Sequence, residues 1–122
     1  MANQPIPTIV LGASPNKERY AYKAVLKLRT FNHPVYALGP REGTIADVKI
    51  HSTWPKGEYH TLTLYLGPDR QAEYTERILN SGVQRVIFNP GTENPALESA
   101  LKEAGIEALR ACTLVLLSIG NY

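Results

Sequence analysis

Short apolar runs alternate with stretches of helical period along most of this chain. Thr8 to Leu11 is a β-branched, apolar run ending at Gly12, and it reads as a buried strand. A loop of small residues follows, and from Arg19 to Thr30 the period turns helical, with Ala21, Val25 and Leu28 on one face. Val35 to Leu38 is a second strand, opened by Pro34 and closed by Gly39 and Pro40. The stretch from Gly39 to Tyr59 lacks a helical period and holds one short strand, Val48 to His51, between turn signals at Gly43 and at Pro55 to Gly57. His60 to Leu66 is a stronger strand, with Leu62, Leu64 and Leu66 alternating against Thr61, Thr63 and Tyr65. Pro68 and Asp69 open a helix predicted to run to Ser81, with Tyr74 and Ile78 on its inner face and Gly82 as its stop. Val86 to Phe88 is the next strand, Asn94 and Pro95 open a helix that ends at Gly105, and Glu107 to Ala111 and Thr113 to Ile119 supply a last strand and a last helix.

Strands separated by single helices form parallel sheets, because each crossover lays a helix on the sheet. The expected architecture is therefore α/β: a Rossmann-like three-layer sandwich with a mostly parallel sheet in the order 3-2-1-4-5-6. The order reverses between the strands ending near Leu11 and Leu66. Ligands of such sheets bind outside the carboxyl ends of the strands at that reversal. The loops Gly12 to Asn16 and Leu66 to Asp69 are the expected walls of a site.

Length and composition fit this reading and narrow it. The 122 residues suit one domain over 1–122, and 43% hydrophobic with 20% charged residues is ordinary for a globular protein. A single cysteine excludes an intrachain disulfide framework and suits a reducing compartment. Met1 to Pro7 shows no signal pattern, and the longest apolar run, Leu114 to Leu117, is too short to cross a bilayer. The expected location is cytoplasmic. A net charge of +2 from scattered basic residues points to neither nucleic acid nor membrane as partner.

The first loop leads to a helix N-terminus, where free amides and the helix dipole favour an anion such as phosphate. Gly12 admits a close backbone approach, Ala13 keeps the surface small, and Ser14 and Asn16 offer side-chain hydrogen bonds. The dinucleotide fingerprint is absent, since Ser14 and Lys17 stand where further glycines are required. An acidic residue is also missing after the second strand, where Leu38-Gly39-Pro40-Arg41 occurs instead. Arg41 suits a phosphorylated ribose, the feature that separates coenzyme A and NADP from NAD. Lys17, Arg19 and Lys23 are further cations able to neutralise a pyrophosphate or to stand as a solvated helix face. Tyr20 and Tyr22 lie alongside, either as stacking platforms or as packed surface residues.

Gly12-Ala13-Ser14-Pro15-Asn16 followed by Arg19-Tyr20 resembles the first loop of the small bacterial CoA-binding proteins, stand-alone relatives of the CoA-binding domain in the succinyl-CoA synthetase α subunit. Leu66-Gly67-Pro68, Asn89-Pro90-Gly91-Thr92 and Cys112-Thr113 match further family segments, so the resemblance runs from Thr8 nearly to Tyr122. It implies a Rossmann-like fold and a site for coenzyme A or an acyl-CoA, with no reaction attached. By resemblance, Gly12, Ala13, Ser14 and Asn16 would meet the phosphates, flanked by Arg19 and Tyr20. Pro40 and Arg41 would border the adenosine, Gly67 and Pro68 would press on the pantetheine or adenine, and Asn89 and Pro90 would lie over the site. The loop has fewer glycines than the synthetase's, which implies fewer backbone contacts to phosphate.

Catalytic machinery is not evident. His33, His51 and His60 are isolated and, with Cys112, show no metal-ligand spacing, so no metal is expected. Ser14 lacks the flanking glycines of a hydrolase nucleophile elbow. Cys112 stands before the last helix, either as a reactive thiol or, by preference, as a packed hydrophobe. Glu93 is equally natural as a functional carboxylate or as a solvated loop residue. The leading expectation is non-catalytic CoA binding, with a homodimer or a protein partner compatible. The alternatives are a small NADP-linked oxidoreductase, and a degenerate Rossmann domain that binds only proteins through the Leu114 to Tyr122 region.

Overall fold

The computed structural model describes residues 4–122 and leaves out 1–3 of the expected domain. In chain order the strands are β1 (Thr8–Leu11), β2 (Val35–Leu38), β3 (Gly43–Ile45), β4 (Val48–His51), β5 (Thr61–Leu64), β6 (Arg85–Phe88) and β7 (Glu107–Arg110). The helices are α1 (Tyr20–Thr30), α2 (Pro68–Gln71), α3 (Thr75–Leu79), α4 (Pro95–Glu103) and α5 (Thr113–Ser118). They build one sheet in the order β3-β4-β2-β1-β5-β6-β7. The six expected strands keep their expected order. The addition is β3, which folds back antiparallel on β4 at the edge, with Thr44 opposite Lys49. Every other pairing is parallel.

Alternation along the strands divides the core between the two faces of the sheet. Ile9, Leu11, Leu62, Leu64 and Phe88 join Ile78, Leu97 and Leu101 on one face. Val10, Ala37 and Ile50 join Ala21, Val25, Leu28 and Leu117 on the other, under α1 and α5. On this second face β5 presents Thr61 and Thr63, both fully buried. Their hydroxyls are hydrogen-bonded: Thr63 pairs with Thr113 at 2.7 Å, and Thr61 accepts from Arg85 Nε at 3.0 Å. The β5 alternation thus separates an apolar face from a polar buried seam that anchors α5.

The single helix predicted from Pro68 to Ser81 is instead α2, a 3₁₀ turn over Ala72–Tyr74, and α3. The break follows Gln71, whose side chain is fully buried and turned inward. Its Nε2 donates to the carbonyls of Leu66 at 2.8 Å and Thr92 at 2.7 Å, while its Oε1 accepts from Asn94 Nδ2 at 2.9 Å. Asn94 caps α4 as expected, its Oδ1 accepting from Leu97 N, while its own amide donates to Glu98 Oε2 at 3.0 Å.

At the opposite end of the sheet His33 is 5% exposed, and its Nδ1 accepts the Ile6 amide at 2.9 Å. Burial, and secondarily the Arg85 guanidinium, hold its pKa below the ordinary histidine value. The Tyr122 ring packs on it at 5.1 Å. The unfolded chain therefore takes up a proton near pH 6.5 that the folded chain refuses. Stability is expected to be fully present above that pH and to decline as pH falls from there toward the depressed folded value. Melting curves between pH 7.5 and 5 check this, and His33→Asn, which keeps an acceptor at that place, should flatten the decline. An unchanged slope in the variant would assign it to other groups.

Candidate functional site

The loop from β1 to α1 is clasped to the end of β2, where the Gly12 and Ala13 amides both donate to the Leu38 carbonyl, at 2.9 and 3.0 Å. Gly12 has φ +100°, and a Cβ there would lie 2.9 Å from the Tyr65 carbonyl carbon. No side chain suits that position. Gly39 is crowded more severely, because a Cβ on it would stand 2.0 Å from the Ala13 carbonyl oxygen. Two chain segments cross there in contact. The loop then turns on its own side chains, with Ser14 Oγ accepting the Asn16 amide at 3.1 Å and Asn16 Oδ1 accepting the Glu18 amide at 3.0 Å.

This loop delivers the chain to the N-terminus of α1, which has no side-chain cap and no acidic residue in its first turn. The Lys23 amide is bonded to the Arg19 carbonyl at 3.2 Å, so the amides of the turn before it are left facing outward. Across from it stand the β5–α2 loop, held by Gln71, and the β6–α4 loop from Asn89 to Asn94. The space between is a cleft of about 450 Å³.

Most of the residues picked out by sequence meet in this cleft. Gly12, Ala13, Ser14 and Asn16 line it from the first loop, and Arg19 and Tyr20 from the start of α1. Pro40 and Arg41 enter from the end of β2, Gly67 from the β5–α2 loop and Pro90 from beyond β6. Pro68 is the exposed first residue of α2 and is not part of the lining. Asn89 lies behind Pro90 with its side chain committed to the scaffold. Its Nδ2 donates to Thr63 Oγ1 at 2.7 Å and to the Leu64 carbonyl at 2.9 Å, and its Oδ1 accepts the Thr113 amide at 2.8 Å.

Leu66, Gly91 and Thr92, placed by sequence only within matched segments, also line the cleft, and sequence reasoning missed three further lining residues, Ala21, Tyr65 and Arg70. Arg70 carries the most consequence, for it is the third arginine of a lining that contains no carboxylate. Its neighbour Asp69 at the opening of α2 was visible in the sequence, but which of the two side chains faces the cleft depends on the turn Gln71 imposes. Lys17 and Lys23 do not line the cleft, and Lys23 instead sits over the Tyr20 ring at 5.3 Å.

A second cavity of about 270 Å³ adjoins the first. It is lined by Tyr20, Tyr65, Asn89, Pro90, Cys112 and Leu114. Cys112 is half-buried at the N-cap of α5. Tyr65 lines both spaces, while its hydroxyl is buried and burial pushes its pKa up to about 12, so it is neutral at any physiological pH. Glu93 accepts the Gly91 amide at 2.9 Å and so serves the turn of its own loop. Among the described residues no group of three or more His, Cys, Asp or Glu side chains could hold a metal ion, and no helix is long and apolar enough to cross a membrane.

A family model described as a CoA binding domain matches residues 7–118. The solved structure of an uncharacterized protein is similar at 41% identity, covering 98% of this chain and 100% of its own, with a TM-score of 0.94. Cell-free ID.343 from Thermus thermophilus shares the fold at 21% identity, 97% and 91% coverage and a TM-score of 0.86. So does part of the dinucleotide forming acetyl-coenzyme A synthetase 1 from Ca. Korarchaeum cryptofilum, solved with phosphate and ADP: 17% identity, 87% of this chain against 25% of that one, TM-score 0.70. A search of curated proteins finds no significant match.

Proposed function

The chain belongs to the CoA-binding domain family, and on that ground we propose that the cleft between the β1–α1, β5–α2 and β6–α4 loops binds coenzyme A or an acyl-CoA without catalysing its reaction. One observation carries the placement: the lining holds Arg19, Arg41 and Arg70 and no carboxylate, beside an uncapped helix N-terminus. Phosphates are stabilised by guanidinium groups and free amides together. Ser14 Oγ, already an acceptor for Asn16, keeps its proton to donate to a phosphate oxygen. Arg41, at the end of β2, serves the ribose phosphate, and the exposed Tyr20 ring offers a stacking surface. Gly12 and Gly39 keep the floor low enough for backbone approach.

The lining contains no histidine, cysteine, lysine or carboxylate, which supports a binding role over acid–base or nucleophilic chemistry. The protein-interaction reading draws on Val115 and Ile119, which are 53% and 62% exposed one turn apart on α5. That patch is separate from the cleft, so it adds to nucleotide binding and does not replace it.

Thermal unfolding with CoA, dephospho-CoA, NADP and NAD at equal excess tests the proposal. A ligand at about 100 times its Kd stabilises by about 2.7 kcal/mol, a shift on the order of 10 °C for this size of domain. The expected result is a shift with CoA that shrinks with dephospho-CoA. Arg41→Ala should weaken CoA about tenfold and leave dephospho-CoA nearly unaffected. A shift with NADP alone would replace the proposal by the oxidoreductase reading, and no shift at all would remove the nucleotide function.

A further inference from the structure

The two adjoining cavities differ in chemistry in the way the two ends of an acylated CoA differ. Tyr20, Tyr65 and Pro90 are shared walls, so the 270 Å³ space opens beside the arginine-lined cleft as its side branch. The branch has no charged residue in its lining and includes Cys112 and Leu114, whereas the cleft carries all three arginines. A phosphate-rich ligand with a neutral arm is divided along the same line. Asn89, at the back of the branch, has both side-chain atoms engaged in the scaffold and presents no free polar atom of its side chain there. The Tyr65 hydroxyl is buried and has no hydrogen-bond partner, so it is the one orphaned side-chain polar atom among the residues that line the branch. Water in such a space would find few partners, which makes it a place for carbon.

We propose that this branch receives the acyl end of an acyl-CoA whose nucleotide lies in the arginine cleft, and that it selects short, uncharged acyl groups. The proposal rests on the CoA reading of the cleft. At about 30 Å³ per water-sized group, the branch has room for on the order of nine such groups. That accommodates a thioester and a few carbons and turns away a long chain. A carboxylate on the acyl group would enter a space with no cation to meet it. Leu114, on the first turn of α5, is part of the branch's wall, so the size of its side chain bears on the room inside.

Calorimetric titration of the full chain with CoA, butyryl-CoA, succinyl-CoA and lauroyl-CoA tests this. Butyryl-CoA should bind about tenfold more tightly than free CoA, from a few methylenes leaving water. Succinyl-CoA and lauroyl-CoA should show no such gain. In Leu114→Trp, which fills the branch, the ratio of the CoA to the butyryl-CoA Kd should fall from about ten to about one. Leu114→Ala, which enlarges it, should extend the gain to octanoyl-CoA, whose eight carbons with the thioester oxygen and sulfur exceed the unaltered branch. Equal affinity of the unaltered protein for CoA and butyryl-CoA would overturn the acyl branch and leave the nucleotide site intact. Succinyl-CoA binding as tightly as butyryl-CoA would overturn the selectivity. Failure of every ligand, CoA included, would remove the CoA reading itself.

Discussion

Replacing Gly39 by alanine is expected to cost about 3 kcal/mol of stability and about 100-fold in CoA affinity together. A Cβ at this position would stand 2.0 Å from the Ala13 carbonyl oxygen, a distance that no rotamer can relieve, since the Cβ itself is the intruder. The β1–α1 loop would have to lift from the end of β2. Lifting it strains the bonds from the Gly12 and Ala13 amides to the Leu38 carbonyl, and these set the height of the phosphate-facing backbone. Gly67→Ala is the internal comparison, because nothing lies within 4 Å of a Cβ there. It should change stability by less than about 1 kcal/mol. Urea unfolding gives the first quantity and calorimetry the second. If Gly39→Ala unfolded at the same urea midpoint as the parent, the crossing of these segments would not be the close contact described.

Asn89→Leu is expected to destabilise the protein by about 4 kcal/mol without any ligand present. The substitution is similar in volume, yet it leaves the Thr113 amide, the Leu64 carbonyl and a share of the Thr63 hydroxyl without their partner in a fully buried seam. Each unsatisfied group costs about 1–3 kcal/mol, and some relaxation lowers the sum. The loss should be concentrated in α5, whose first amide is the one released. Hydrogen exchange over Thr113–Ser118 should therefore accelerate more than exchange in β1 or β5. Unchanged stability combined with weakened CoA binding would place Asn89 on the ligand, as the resemblance first implied, and contradict its role in the scaffold.

Much of this fold was legible because buried parallel strands are short apolar runs and their crossovers carry a different period. The β5 alternation of Leu62 and Leu64 with Thr61 and Thr63 even shows which face is polar. The edge strand β3 was not legible. Its hairpin turns through Ala46 at φ +54°, with Asp47 beside it, and neither the asparagine nor the glycine that marks such turns is present. The break after Gln71 was hidden for a related reason, since a glutamine drawn wholly inside by Leu66 and by two partners far along the chain, Thr92 and Asn94, leaves no periodic trace. In the cleft, the residues local to the first loop were readable from the strand–loop–helix pattern. Arg70 and the pressure of Gly39 on Ala13 were not, because both depend on where two loops distant in sequence come to rest. Asn89 shows the opposite error, a residue correctly placed near the site whose side chain faces the scaffold.

The fold-back of β3 on β4 also bears on how this protein behaves when crowded with its own copies. A parallel sheet ending on β4 would offer open backbone groups to any extended segment, the usual start of fibrillar growth. Here the border is a strand of only three residues, and the Asp47 of its turn is clamped by Arg29 at 2.9 Å. The other border, β7, begins and ends with exposed charges, Glu107 and Arg110. Both margins are therefore poor templates for a further strand, and the exposed apolar side chains Val115 and Ile119 lie on a helical flank instead.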